Sequence, residues 1–209
     1  MDFLQAFILG VVEGITEFLP ISSTGHLILT SRLLGIADTD FTKSFEIAIQ
    51  FGAILGVVAL YWKSFWGYGK QWRRIVVAFL PTAIVGFLLY KVLKQYLLEN
   101  AILVVWVLAL GGVALILFEL WYKRANIQPK ELNYKNSFWV GIAQSLAIVP
   151  GLSRSAATIV GGMLQGISRE KIVEFSFLLA IPTMAAATGY DLFKSAGAFS
   201  FDQFWILAL

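Results

Sequence analysis

Four full-length apolar runs, at residues 45–62, 75–93, 101–121 and 172–193, set the pattern of this 209-residue chain. Each approaches the ~20 residues that an α-helix needs to cross a bilayer, and each predicts a spanning helix. Two further stretches are apolar but broken in the middle. Residues 3–34 are interrupted at Pro20-Ile21-Ser22-Ser23-Thr24-Gly25, and residues 138–164 at Pro150-Gly151-Leu152-Ser153. The halves are too short to span. Proline followed by Ser or Thr marks a helix stop and then an N-cap. Both stretches therefore predict re-entrant helix–loop–helix hairpins, whose open backbone has to be enclosed by protein or water.

Composition agrees with the pattern. The chain is 58% hydrophobic and 14% charged, against about 25% charged in ordinary soluble domains. The expected class is an all-α polytopic membrane protein, folded as a single integral membrane domain over 1–209. Residues 1–9 lack the basic start of a cleavable signal peptide, and Glu13 and Glu17 interrupt the apolar stretch behind them. The absence of cysteine excludes disulfides, thiolate metal sites and cysteine nucleophiles. A single histidine, His26, excludes a mechanism built on a histidine pair.

Charge sets an orientation. Loops 63–74 and 123–136, with Arg169 and Lys171, collect ten basic residues on one side; five lie on the other, and Arg154 stands apart. Under the positive-inside rule the first hairpin enters from the outer side and the second from the inner side. The segments Gly10-Val-Val-Glu13 and Gly141-Ile-Ala-Gln144, each followed by proline and a serine pair, suggest an inverted repeat. Repeat one covers about 1–122 and repeat two about 137–209. That symmetry leads us to expect roughly one and a half further spans beyond the start of one at 204–209. Trp62, Trp66, Trp72, Trp121 and Tyr122 are expected in an interfacial belt, and Gly111-Gly112 and Gly161-Gly162 at close helix contacts.

The polar residues inside the hairpins are the candidate chemistry. An ionised side chain at the bilayer centre costs about 2.5–3.5 kcal/mol even on lenient scales. Glu13, Glu17 and Arg154 should therefore face one another or a wet cavity. Glu13 and Glu17, four apart on one helix face, would share a proton or bind a hard divalent cation such as Mg²⁺ or Ca²⁺; structural hydrogen bonding is the alternative. Ser22, Ser23 and Thr24 with Gly25, and Ser153, Arg154, Ser155 and Thr158 with Gly151, place two helix N-termini and a guanidinium where they would suit a phosphate. Simple capping would explain the serines but not Arg154. His26, three residues after Ser23, could act as base, acid or nucleophile. Gln50 could reach the site or bond a helix backbone. Glu46 is expected only to complement its helix dipole, and Glu119 to pair with Lys123.

These motifs are where a resemblance enters. Residues 10–26, a glutamate-rich segment ending in P-x-S-S-T-G-H, and residues 150–158, P-G-x-S-R-S-x-A-T, resemble the undecaprenyl-diphosphate phosphatase family associated with bacitracin resistance. The likeness runs from Leu4 to about Lys194, and Ala156 departs from the glycine usual there. It implies hydrolysis of a C55 polyprenyl diphosphate to the monophosphate and inorganic phosphate, which recycles the carrier lipid of cell-wall synthesis. It further implies metal binding and acid–base work by Glu13 and Glu17. Ser23 would be the nucleophile with His26 assisting, direct attack by His26 staying open, and Ser153, Arg154 and Thr158 would bind the terminal phosphate. Ser22, Thr24, Gln50 and Ser155 complete the expected substrate contacts. The expected setting is the bacterial plasma membrane with the site opening outward; the expected partners are the lipid and the bilayer, with room for a homodimer and no nucleic acid. A transporter or flippase of polyprenyl phosphates on the same repeat is the rival reading.

Overall fold

The computed structural model describes residues 1–65, 69–98, 100–125 and 127–195; within these, the side chains of 60–65, 70 and 94 are not described. The further span expected from 204 to 209 lies outside them. Helix α1 (Phe3–Thr16) starts on a capping box, Asp2 accepting from the Gln5 N–H while the Gln5 side chain accepts from the Asp2 N–H. After the Pro20 turn, α2 (Ser23–Leu33) begins at Ser22, whose hydroxyl accepts from the Gly25 N–H. At 14 and 11 residues these helices reach only about 21 and 17 Å, against a hydrocarbon core of about 30 Å.

Helices α3 (Asp40–Phe65), α4 (Gly69–Val92) and α5 (Ala101–Tyr122) follow. A π-helical turn, Leu93–Leu97, closes α4. The second short pair is α6 (Tyr134–Ser145), extended by a 3-10 turn at Leu146–Ile148, and α7 (Arg154–Leu164), capped by the Ser153 hydroxyl on the Ala156 N–H. Helix α8 (Arg169–Ser195) ends the described chain. Among the described residues α3, α4, α5 and α8 are long and apolar enough to cross a membrane. The protein is thus multi-pass and all-α, its extended pairing limited among those residues to an isolated bridge, Lys130 to Ile167.

Helices run past the apolar runs that predicted them. Most of the loop expected at 63–74 is helical, because lysine and arginine can lay their stems along a helix and keep the charge at the interface. Packing divides by hairpin. Helix α1 lies on α2 and α3, while α6 and α7 nest against α4 and α8. The larger core, with Phe175, Ile172 and Met163 fully buried, sits under the second hairpin. At Gly141 a Cβ would collide with the Ala78 carbonyl, so the backbones of α6 and α4 touch there. Gly161 and Gly162 are close contacts as expected, against Ala143 and Ile172; an added Cβ at Gly111 or Gly112 meets nothing within 4 Å. Glu119 pairs with Arg169, 2.6 Å away across to α8, where Lys123 was expected, since the start of α8 comes alongside the end of α5. Trp121 is half exposed, whereas Trp72 and Tyr122 pack against the larger core; Trp66 and the Trp62 side chain lie outside the description.

Candidate functional site

The turns of the two hairpins meet. Ser155 at the start of α7 donates to the Leu19 carbonyl in the first turn, at 3.3 Å. At their junction the Glu17 carboxylate is shared. Ser23, first residue of α2, donates its hydroxyl to Glu17 Oε2 at 2.5 Å, and Arg154, first residue of α7, donates Nη2 to Glu17 Oε1 at 2.5 Å. Arg154 Nη1 bonds the Ser176 carbonyl of α8 at 3.1 Å, while its Nε has no protein partner. The side chains of Arg154 and Glu17 are 11% and 4% exposed. Glu17 and Arg154 thus join residues 137 apart in sequence inside the protein.

Glu13 lies one turn before Glu17 and is 1% exposed. Neither of its carboxylate oxygens has a hydrogen-bond partner, although Glu17, Ser23 and Arg154 are its polar neighbours. Two carboxylates one turn apart, one with both oxygens unclaimed, fit a hard cation that takes oxygen ligands. No group of three His, Cys, Asp or Glu forms among the described residues. Further ligands would have to be hydroxyls, water or substrate oxygens.

A cavity of about 500 Å³ opens over this junction. Glu17, Ser22, Ser23, Thr24 and Gln50 line it from one side, and Ser153, Arg154 and Ser155 from the other. Its remaining wall is largely apolar and comes in good part from α4 and α8, including Phe79, Gly86, Phe87, Met184 and Ala187, with Ala147, Ile148 and Leu152 of the second hairpin. Ser22 holds the turn in the left-handed region, at φ 65°, where among the described residues it is the one non-glycine side chain with positive φ. Such a conformation costs of order 1–3 kcal/mol and persists where surrounding contacts impose it.

All eleven site residues predicted from sequence are buried or half-buried, and eight of them line the cavity, but not all stand in the expected relation. His26 does not bond Ser23. Its Nδ1 lies 2.8 Å from the Ser22 carbonyl, and since a carbonyl only accepts, Nδ1 carries the proton and Nε2 is the basic nitrogen. It is Glu17 that holds the Ser23 hydroxyl. Thr158 is fully buried, donates to the Arg154 carbonyl at 2.6 Å and is not among the residues that line the cavity. Gln50 both donates to the Glu46 carbonyl, at 3.0 Å, and accepts from Thr24, at 3.4 Å. Glu46 was expected to do no more than complement its helix dipole; it is buried, with the Ser31 hydroxyl donating to it at 2.5 Å. Sequence reading passed over Thr82, Gln144 and Thr183, which also line the cavity, because nothing local marks three polar residues on three helices as neighbours.

Fold and junction together define a multi-pass, all-α membrane protein in which two half-length hairpins bury a carboxylate–guanidinium–hydroxyl site under a largely apolar cavity. The sequence model of the family described as Bacitracin resistance protein BacA matches residues 6–209, and the chain belongs to that family. It is similar to the undecaprenyl-diphosphatase of Aquifex aeolicus (strain VF5), 53% identical over 98% of this chain and 81% of the relative. The undecaprenyl-diphosphatase of Sulfurihydrogenibium sp. (strain YO3AOP1) is 52% identical over 97% and 81%. That of Persephonella marina (strain DSM 14350 / EX-H1) is 49% identical over 100% and 82%.

Proposed function

We propose that this protein is a membrane phosphatase that hydrolyses undecaprenyl diphosphate to undecaprenyl phosphate and inorganic phosphate, recycling the carrier lipid for peptidoglycan synthesis and conferring bacitracin resistance. The observation that carries the reading is the Glu17 carboxylate held between the Ser23 hydroxyl and the Arg154 guanidinium. A hydroxyl already donating to a carboxylate can pass it a proton as it attacks. A guanidinium at the same carboxylate can turn its planar donors to a phosphoryl group, whose charge spreads over its oxygens in the transition state.

In this reading the terminal phosphate sits between the starts of α2 and α7, whose free N–H groups favour an anion, with Ser153 and Ser155 beside it. The Ser23 oxygen attacks the terminal phosphorus and its proton passes to Glu17. The bond from phosphorus to the bridging oxygen breaks, and that oxygen leaves on the lipid monophosphate. Water then cleaves the phosphoserine, releasing inorganic phosphate. His26, with Nε2 free to accept a proton, is the competing nucleophile or base. Glu13, with Glu17, would hold a divalent cation, Mg²⁺ or Ca²⁺, which when bound neutralises phosphate charge. Thr24 and Gln50 line the approach, and the apolar faces of α4 and α8 take the first part of the lipid chain.

We place the protein in the bacterial plasma membrane with the cavity opening outward, a reading supported by the excess of basic residues in the loops assigned to the inner side. The two hairpins are read as members of an inverted repeat, which would bring their turns to one depth. Phosphate release from undecaprenyl diphosphate by purified protein in detergent tests the function. We expect release by the wild type and its loss in Glu17→Ala, Ser23→Ala and Arg154→Ala. Absence of release by the wild type, or full activity in Arg154→Ala, would sink the assignment.

A further inference from the structure

Helices α4 and α8 each carry a proline in their interior, Pro81 and Pro182, and each proline is followed by a threonine, Thr82 and Thr183. A proline inside a helix removes one backbone hydrogen bond and bends the helix. Both helices wall the cavity. Where each proline removes that bond, something else has to fix how the helix sits beside the cavity.

That something is one amide. Gln144 is the second-last residue of α6 and is 1% exposed. Its Nε2 donates to Thr82 Oγ1 at 2.9 Å and to Thr183 Oγ1 at 3.2 Å. Each threonine has already committed its own proton: Thr82 donates to the Gly141 carbonyl at 3.1 Å, Thr183 to the Leu179 carbonyl at 2.7 Å. Both hydroxyls can thus only accept from Gln144, and the two amide hydrogens have one partner each. Beyond this point the chain leaves α6 through the 3-10 turn and reaches Arg154. The Gln144 carbonyl oxygen faces Thr158, at 3.5 Å, whose hydroxyl bonds the Arg154 carbonyl.

We propose that Gln144 is a positioning residue for the reaction proposed above. It pins the second hairpin to α4 and α8 beside their prolines, and so sets where the start of α7 presents Arg154 to Glu17. The role depends on direction more than on strength. Replacing both partners of a buried hydrogen bond with apolar groups of similar shape is often close to neutral for stability. A pin with a defined angle would be lost all the same.

The test uses the full chain in detergent. The combined variant Thr82→Val, Gln144→Met, Thr183→Val keeps volume and removes the pin. We expect kcat to fall about tenfold or more, KM to stay within about twofold, and the unfolding temperature to move by only a few degrees. Gln144→Asn, one methylene too short to reach both threonines, should show the same split. Thr82→Ser with Thr183→Ser retains both acceptors and should keep most of the wild-type kcat. Wild-type kcat in Gln144→Asn overturns the proposal even if the combined variant fails to fold. Because the chain has no cysteine, spin labels at Leu33→Cys and Leu164→Cys, both on exposed positions, give a readout that needs no substrate. The distance distribution between the ends of α2 and α7 should broaden in Gln144→Asn and stay narrow in the serine pair. An unchanged distribution counts against the pin whatever the substrate proves to be, whereas an inactive wild type counts against the proposed function alone.

Discussion

Arg154 and Glu17 illustrate how a buried ion pair divides stability from activity. Removing one partner leaves an uncompensated charge inside the protein and costs about 3–5 kcal/mol, while the pair itself adds little over an apolar alternative. Arg154→Ala should therefore lower the unfolding temperature and also reduce phosphate release by about 100-fold or more. Arg154→Lys should restore the stability better than the rate, because an ammonium lacks the planar fork that would serve Glu17, the Ser176 carbonyl and a phosphate together. The nucleophile is open to a direct chemical distinction. Rapid quenching with labelled substrate should trap an acid-stable phosphoserine on Ser23; an acid-labile, base-stable adduct on His26 would reassign the attack. In the proposed mechanism Glu13 is the residue that would hold the cation. Chelation with EDTA is expected to stop phosphate release, added Mg²⁺ or Ca²⁺ to restore it, and Glu13→Gln to raise the metal concentration needed for half-activity. Activity indifferent to EDTA would remove the cation from the proposal. Much of this junction was legible in sequence, since charge at membrane depth has to be paired and Arg154 had few partners to choose from. The Glu17–Ser23 bond was not, because spacing alone put His26 nearest to Ser23, while the turn after α1 folds Glu17 back over the start of α2.

The helices themselves follow the hydrophobic runs closely, and the two half-length pairs were readable from proline and hydroxyl punctuation. Their ends were harder to read. Hydropathy stops at the first lysine or arginine, but the helix continues wherever the stem of that side chain can lie along it. The contacts between helices were least legible of all. Gly141 reads as an ordinary helix glycine until α4 is seen to press its Ala78 carbonyl into the missing Cβ position. Gly141→Val should destabilise by about 1–3 kcal/mol or more through overpacking, measured as a fall in the thermal unfolding temperature. Gly86 offers the opposite case. It lines the cavity, and an added Cβ would meet nothing within 4 Å. Gly86→Leu should therefore leave the unfolding temperature near wild type while filling space that the proposed mechanism gives to the lipid chain. We expect kcat/KM for undecaprenyl diphosphate to fall at least tenfold, and less for a farnesyl substrate; an equal loss for both would place the chain elsewhere.

At the scale of the whole molecule, site and cavity exist only where the two hairpins converge, the first at the start of the chain and the second after three long helices. The Glu17–Arg154 bond spans 137 residues, and this has a consequence for biogenesis. At about 5–20 residues per second, a ribosome takes roughly 7–27 s to travel that far. For that interval the first hairpin must wait with Glu13 and Glu17 lacking their cation from the second. Until then the hairpin meets hydrocarbon only by taking up protons on these carboxyls, or stays at the interface. The earliest segment of this protein is thus among the late ones to dock.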